Sequence, residues 1–119
     1  MQDFRKLRVW QKADQLTFDI YAATRTFPAE ERFLLTAQLR SAALSIQSNI
    51  AEGFGRGTKA DTARFVQMSI GSSAEVVNHL HVAHRLGYLS AEQYQQLAEA
   101  IEHIRRMLIR LLLSLKSQD

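Results

Sequence analysis

The stretch SNIAEGFGRG, Ser48 to Gly57, carries glycines at positions 53, 55 and 57 directly behind Glu52. Its reading decides the fold. A glycine loop that cradles phosphate follows a β-strand, and a Walker-type loop runs from its last glycine into Lys-Ser or Lys-Thr. Here the upstream residues Leu35, Leu39, Ala42, Ile46 and Ile50 recur at the spacing of one helical face. Gly57 is followed by Thr58 and Lys59, the reverse order. A nucleotide loop fails on both counts. The stretch reads instead as a helix C-terminus and a turn into the next helix.

Outward from that corner, the punctuation is helical. Pro28 suits the first turn of the helix ending at Gly53, with Glu30 and Glu31 near its positive end. Upstream, Trp10, Ala13, Leu16, Thr17, Ile20, Tyr21 and Thr24 share one face. Downstream, Thr58 is an N-cap with Asp61 at the capping-box position. Phe65, Met68, Ser72, Val76, Leu80, Ala83 and Leu86 then form an inner face closed by Gly87. Ser90 and Gln93 make a second capping box ahead of Tyr94, Leu97, Ile101, Ile104, Leu108, Leu112 and Leu115. These patterns predict helices over about residues 8–26, 29–53, 59–86 and 91–116. Short connections place neighbours antiparallel. The expected fold is all-α, an antiparallel up-down-up-down four-helix bundle in one domain, 1–119.

The 119 residues suffice for one core, and the absence of cysteine removes disulfides, thiolate metal sites and cysteine nucleophiles. The opening MQDFRKLRVW lacks the apolar run of a signal peptide. The longest apolar stretch, MLIRLLLSL, is too short to span a bilayer and contains Arg110. A cytoplasmic protein without membrane contact is expected.

At the corner, Glu52 faces the negative end of its helix dipole and calls for a partner, either Arg56 or the free amides of the third helix. Asn49 flanks the inner stripe and is expected to hydrogen-bond across the bundle. Asn49, Glu52 and Gly53 are assigned to fixing the corner.

Catalytic readings do not survive the helical register. Di-iron bundles pair Glu and His three residues apart, whereas Glu75 with His79 and Glu99 with His103 stand four apart. Glu99 and His103 fall opposite Leu97, Ile101 and Leu108, toward solvent, and His81 and His84 lie off the inner face with His79 at its edge. Ser41, Ser45 and Ser48 fit close helix packing, and no histidine is placed to activate them. No catalytic residue, metal ligand or cofactor is assigned, and a non-enzymatic protein is expected.

The apolar surface exceeds the needs of a monomer. Phe33, Ala37, Leu44 and Ala51 point away from the inner stripe of the second helix. Val66, Ile70 and Val77, joined by Ser73 and His84, form a second stripe on the third helix. The end of the fourth helix, with Met107, Ile109, Leu111 and Leu113, is apolar almost all round. Left uncovered, these stripes make a patch larger than monomers carry. A homo-oligomer follows, with the second helix of one subunit on the third of the next, a head-to-tail contact that closes into a ring.

Charge is polarised within a net +3. The start of the first helix, the SNIAEGFGRG corner and the end of the fourth helix share one end. That end gathers Arg5, Lys6, Arg8, Lys12, Arg56, Lys59, Arg64, Arg105, Arg106, Arg110 and Lys116 against Asp3, Asp14, Glu52, Asp61 and Asp119. Arg25, Arg32, Arg40 and Arg85 at the other end face the remaining acids. A ring would multiply the basic field, and the start of the third helix adds a positive dipole end. Arg5, Lys6, Arg8, Lys12, Arg56, Lys59, Arg64 and Arg110 are the expected nucleic-acid-binding residues. No RRM-type aromatic pair or KH loop specifies the target.

The run QLRSAALSIQSNIAEGFGRGTKAD, Gln38 to Asp61, resembles the family of small bacterial proteins named after 23S rRNA intervening sequences. That family's core reads Gln-Leu-Arg-x-Ala-x-x-Ser-Ile-Pro-x-Asn-Ile-Ala-Glu-Gly. LRVWQKA from Leu7, FP at Phe27, GSSAE from Gly71 and LGYL from Leu86 agree as well. Gln47 replaces the usual proline, Thr58 a serine, and Ser73 a larger apolar residue. The resemblance implies a four-helix bundle, a pentameric ring and no established enzymatic activity. It also implies two kinds of partner, because some relatives are encoded within ribosomal RNA gene insertions and others serve diversity-generating retroelements. The expected function is therefore nucleic-acid binding, RNA foremost. The alternative is a scaffold that recruits a protein such as a reverse transcriptase or an RNA-processing enzyme.

Overall fold

The computed structural model describes residues 3–117. Four helices carry the chain: α1 Arg8–Thr24, α2 Leu35–Phe54, α3 Lys59–Arg85 and α4 Ala91–Lys116. Single 3-10 turns precede α1 at Phe4–Lys6 and α2 at Ala29–Glu31, and no strand occurs among the described residues.

The caps behave largely as the residue types dictate. The Thr58 hydroxyl accepts from the Asp61 amide at 3.1 Å, opening α3. Ser90 and Gln93 close a reciprocal capping box at 3.0 and 2.9 Å, opening α4. At the end of α3, Gly87 takes φ +79°, and the Tyr88 amide reaches back to the Ala83 carbonyl at 3.0 Å. That left-handed exit is one that a side chain resists and glycine does not.

The second helix starts later than its sequence suggests. Residues 29–34 do not extend α2 backwards; Pro28 is extended, with φ −55° and ψ 144°, and leads into the 3-10 turn. Glu31 explains the delay. One of its carboxylate oxygens accepts the Leu35 amide at 3.4 Å and the other accepts the Tyr88 hydroxyl at 2.9 Å. The carboxylate therefore caps α2 from outside, where a negative charge is favoured, instead of riding in its first turn.

Leu16, Ile20, Leu39, Ile46, Ile50, Leu80, Ile101, Ile104 and Leu108 are almost fully enclosed. Burial of such a side chain contributes about 1.5–3 kcal/mol. Helix α1 packs on α2 and α4, and α3 packs on the same two. Cross-helix partners pair rising numbers on one helix with falling numbers on the next. Ser45 meets Ser72 at 2.9 Å, the Ser69 hydroxyl donates to the Ile46 carbonyl at 2.8 Å, and Thr62 donates to the Gly53 carbonyl at 2.8 Å. Between α1 and α2, Arg40 donates to the Thr24 hydroxyl at 2.8 Å, while the buried Gln47 bonds Thr17 and Asp14.

These serines and threonines turn α3 relative to its expected face. Val66 and Ser73 lie fully inside the chain, whereas Met68 and Leu86, expected inside, are 46% and 52% exposed. Small hydroxylated residues let α3 approach α2 closely, and their hydroxyls find backbone or serine partners there. Tyr21, also expected inside, is exposed and carries the Arg40 guanidinium 4.6 Å from its ring. His84 is half-buried and stacks on Tyr94 at 4.2 Å. Asn49 does not reach across the bundle. Its amide donates to Ser45 within α2, at 2.9 Å to the carbonyl and 3.1 Å to the hydroxyl.

Candidate nucleic-acid interface

The corner between α2 and α3 is built on a near-collision. Gly53 is buried against Phe65 and Thr62, which carries Phe65 to the surface of the turn with its ring almost covered. Two guanidiniums do the covering. The Arg56 carbon lies 4.9 Å from the ring centroid and that of Arg64 lies 4.6 Å from it. Each also has a carboxylate one helical turn back, Glu52 at 3.7 Å for Arg56 and Asp61 at 3.9 Å for Arg64. Glu52 thus takes Arg56 as its partner. Exposed pairs of this kind contribute about 0–1 kcal/mol, so Gly53 sets the geometry of the corner and Glu52 orients a guanidinium.

The 3-10 turn before α1 repeats the arrangement. Arg5 grips both oxygens of Asp3, at 3.1 and 3.2 Å, and Phe4 stands edge-on to Trp10 with centroids 5.3 Å apart. The side-chain and backbone hydrogen bonds from Arg5 hold the Asp3 carboxyl below its usual range, and the same contact raises the Arg5 guanidinium. This turn packs on α1 and α2.

The other expected binding residues divide by position. Lys59 and Arg64 from α3 share an open cleft of about 430 Å³ with Leu115 and Lys116 from α4. Lys6, Arg8, Lys12 and Arg110 are exposed and, among the described residues, form no ion pair. Asp119, placed at this end by charge counting, lies outside the described residues. The stacking of Arg56 and Arg64 on one ring was not foreseen, because Phe65 carries the period of a core residue.

The expected subunit-contact residues also divide. Phe33, expected on the second helix, lies in the turn before α2 and is 82% exposed, while on α2 itself Leu44 is 44% exposed, Ala37 exposed and Ala51 half-buried. Ile70 and Val77 are half-buried and pack on the core of their own chain. Val66 is enclosed completely by its own chain and offers nothing to a neighbour. Leu34 and Phe18, 59% and 65% exposed, extend the apolar surface beyond what periodicity showed.

The family model described as 23S rRNA-intervening sequence protein matches residues 5–110. The chain belongs to that family. Gly53, Arg56 and Arg64 of this chain fall inside the matched span. A crystal structure of a Bacteroides thetaiotaomicron protein of unknown function, from the S23 ribosomal protein family, superposes with a TM-score of 0.81 at 22% identity. The match covers 87% of this chain and 97% of that one. At such identity the likeness carries the fold of the family and nothing further. No curated protein matches the chain. No helix among the described residues is long and apolar enough to cross a membrane.

Proposed function

We propose that this chain is a non-enzymatic, cytoplasmic nucleic-acid-binding module, favouring RNA, that works through the cationic end of an antiparallel up-down-up-down bundle assembled as a ring. One observation carries the reading. Cations distant in sequence, Lys59 and Arg64 from the start of α3 and Lys116 from the end of α4, share one cleft, and the basic turn before α1 packs on α2. Lys6, Arg8, Lys12 and Lys116, exposed and outside any ion pair among the described residues, supply the positive field that attracts phosphates. Arg8→Glu, Lys12→Glu and Lys116→Glu, made together, should cut RNA affinity by about 100-fold or more while helicity is kept, with the wild-type affinity falling steeply as salt rises. Unchanged affinity in the triple variant removes the reading.

A second reading, a scaffold for a protein such as a reverse transcriptase or RNA-processing enzyme, is favoured by the exposed Phe33, Leu34 and Leu44. A ring would cover part of that surface. A purified protein that carries no nucleic acid, and binds none at low salt, leaves the scaffold as the function.

A further inference from the structure

We propose that Arg56 and Arg64, laid over the ring of Phe65, form a stacking platform for an unpaired base, so that the cationic end takes single-stranded rather than fully paired nucleic acid. This rests on the nucleic-acid reading above and deepens it.

The charges at the corner argue against a phosphate clamp. Arg56 is matched by Glu52 and Arg64 by Asp61, so this part of the surface has little net charge to offer a phosphate. The pairs do not bury the guanidiniums. Both lie over the Phe65 ring, and the two side chains remain 44% and 57% exposed. Bases stack on guanidinium planes and on aromatic rings, and only unpaired bases can be splayed onto them. Phe65 is itself nearly covered, so it acts as the foundation that keeps the planes flat and not as the contact surface.

Labour then divides by chemistry. Lys6, Arg8, Lys12 and Lys116 stand outside any ion pair among the described residues and carry the attraction for the backbone. Arg56 and Arg64 receive a base. A basic groove with stacking side chains is the arrangement that single strands use.

The test compares three labelled probes by fluorescence anisotropy: a short RNA without secondary structure, its fully paired duplex, and an abasic oligomer with the same number of phosphates. Wild type should prefer the unpaired RNA to both of the others by about tenfold or more. Arg56→Lys with Arg64→Lys keeps the charge and removes the planes. It should weaken the unpaired RNA by about tenfold, leave the abasic oligomer and the salt slope unchanged, and preserve the circular dichroism spectrum. Equal affinity of wild type for all three probes, or full retention of single-strand affinity in the double lysine variant, overturns the platform while the cationic-end reading stands. Failure of wild type to bind any probe at low salt removes that reading and the platform with it.

Discussion

A β-carbon added to Gly53 would lie 2.8 Å from the Phe65 β-carbon and 3.2 Å from the Thr62 carbonyl oxygen. Both neighbours belong to α3, one through the root of its side chain and the other through backbone, so neither yields cheaply. Gly53→Ala should therefore destabilise the protein. Overpacking of this kind costs about 1–3 kcal/mol, more than the roughly 1 kcal/mol that alanine gains over glycine inside a helix. Urea denaturation should show the lower midpoint, and an unchanged midpoint contradicts the close approach.

Gly71 gives the opposite expectation. It sits within α3 with nothing within 4 Å of where its β-carbon would be. Gly71→Ala should stabilise by about 0.5–1 kcal/mol. The gain is read from the thermal midpoint at low protein concentration. A loss that grows with concentration places Gly71 against another subunit.

Tyr88 links stability to alkaline pH. Its hydroxyl donates to Glu31, and that hydrogen bond, with burial and the charges of Glu31 and Glu30, raises the phenol above its usual value. A group whose pKa rises on folding contributes stability that is complete below the unfolded value, about 10 for tyrosine, and is lost as pH climbs through the folded one. Wild type should lose stability above that point more steeply than Tyr88→Phe. Parallel stability curves for the two proteins across this window rule the linkage out.

Phe33 and Val66 separate assembly from folding. Phe33→Lys with Leu44→Lys alters exposed positions and should leave helicity intact while light scattering falls to the monomer mass. Val66→Lys places a charge inside the core and should abolish the folded state at any concentration. A wild type already monomeric at micromolar concentration rules out the ring.

Gln47→Ala should destabilise by about 1–3 kcal/mol, because Asp14 loses its amide donor and Thr17, left with the Ala13 carbonyl of its own helix, loses its bond to α2. Chemical denaturation measures the loss. Thr17→Val in the Gln47→Ala background should recover part of it.

The α2 face was legible because large aliphatic residues mark it, and Leu35, Leu39, Ala42, Ile46 and Ile50 are all buried. The α3 face was misread by a partial turn. Ser69 and Ser73 look like surface residues in sequence, and nothing local announces that Ser69 will satisfy its hydroxyl on the carbonyl of Ile46 in another helix. The start of α2 was hidden for a related reason, since one partner of Glu31 lies 57 residues downstream. Cations could be counted from the sequence, but their pairing could be read only in part. The helix dipole pointed to Arg56 as one of two partners for Glu52, but nothing in the sequence announces the Arg64–Asp61 pair or that Phe65 lies beneath both guanidiniums.

Gln47 lies mid-helix in α2, and its amide is committed to Asp14 at 2.9 Å and to Thr17. Exchange of Gln47 for proline is not a neutral step in this chain. Proline there removes a donor from mid-helix and turns Asp14 and Thr17 toward an apolar ring. Introducing glutamine without them buries an amide with nothing to bond. Asp14, Thr17 and Gln47 therefore act as one unit joining α1 to α2, and no one of them is exchanged without cost to the others.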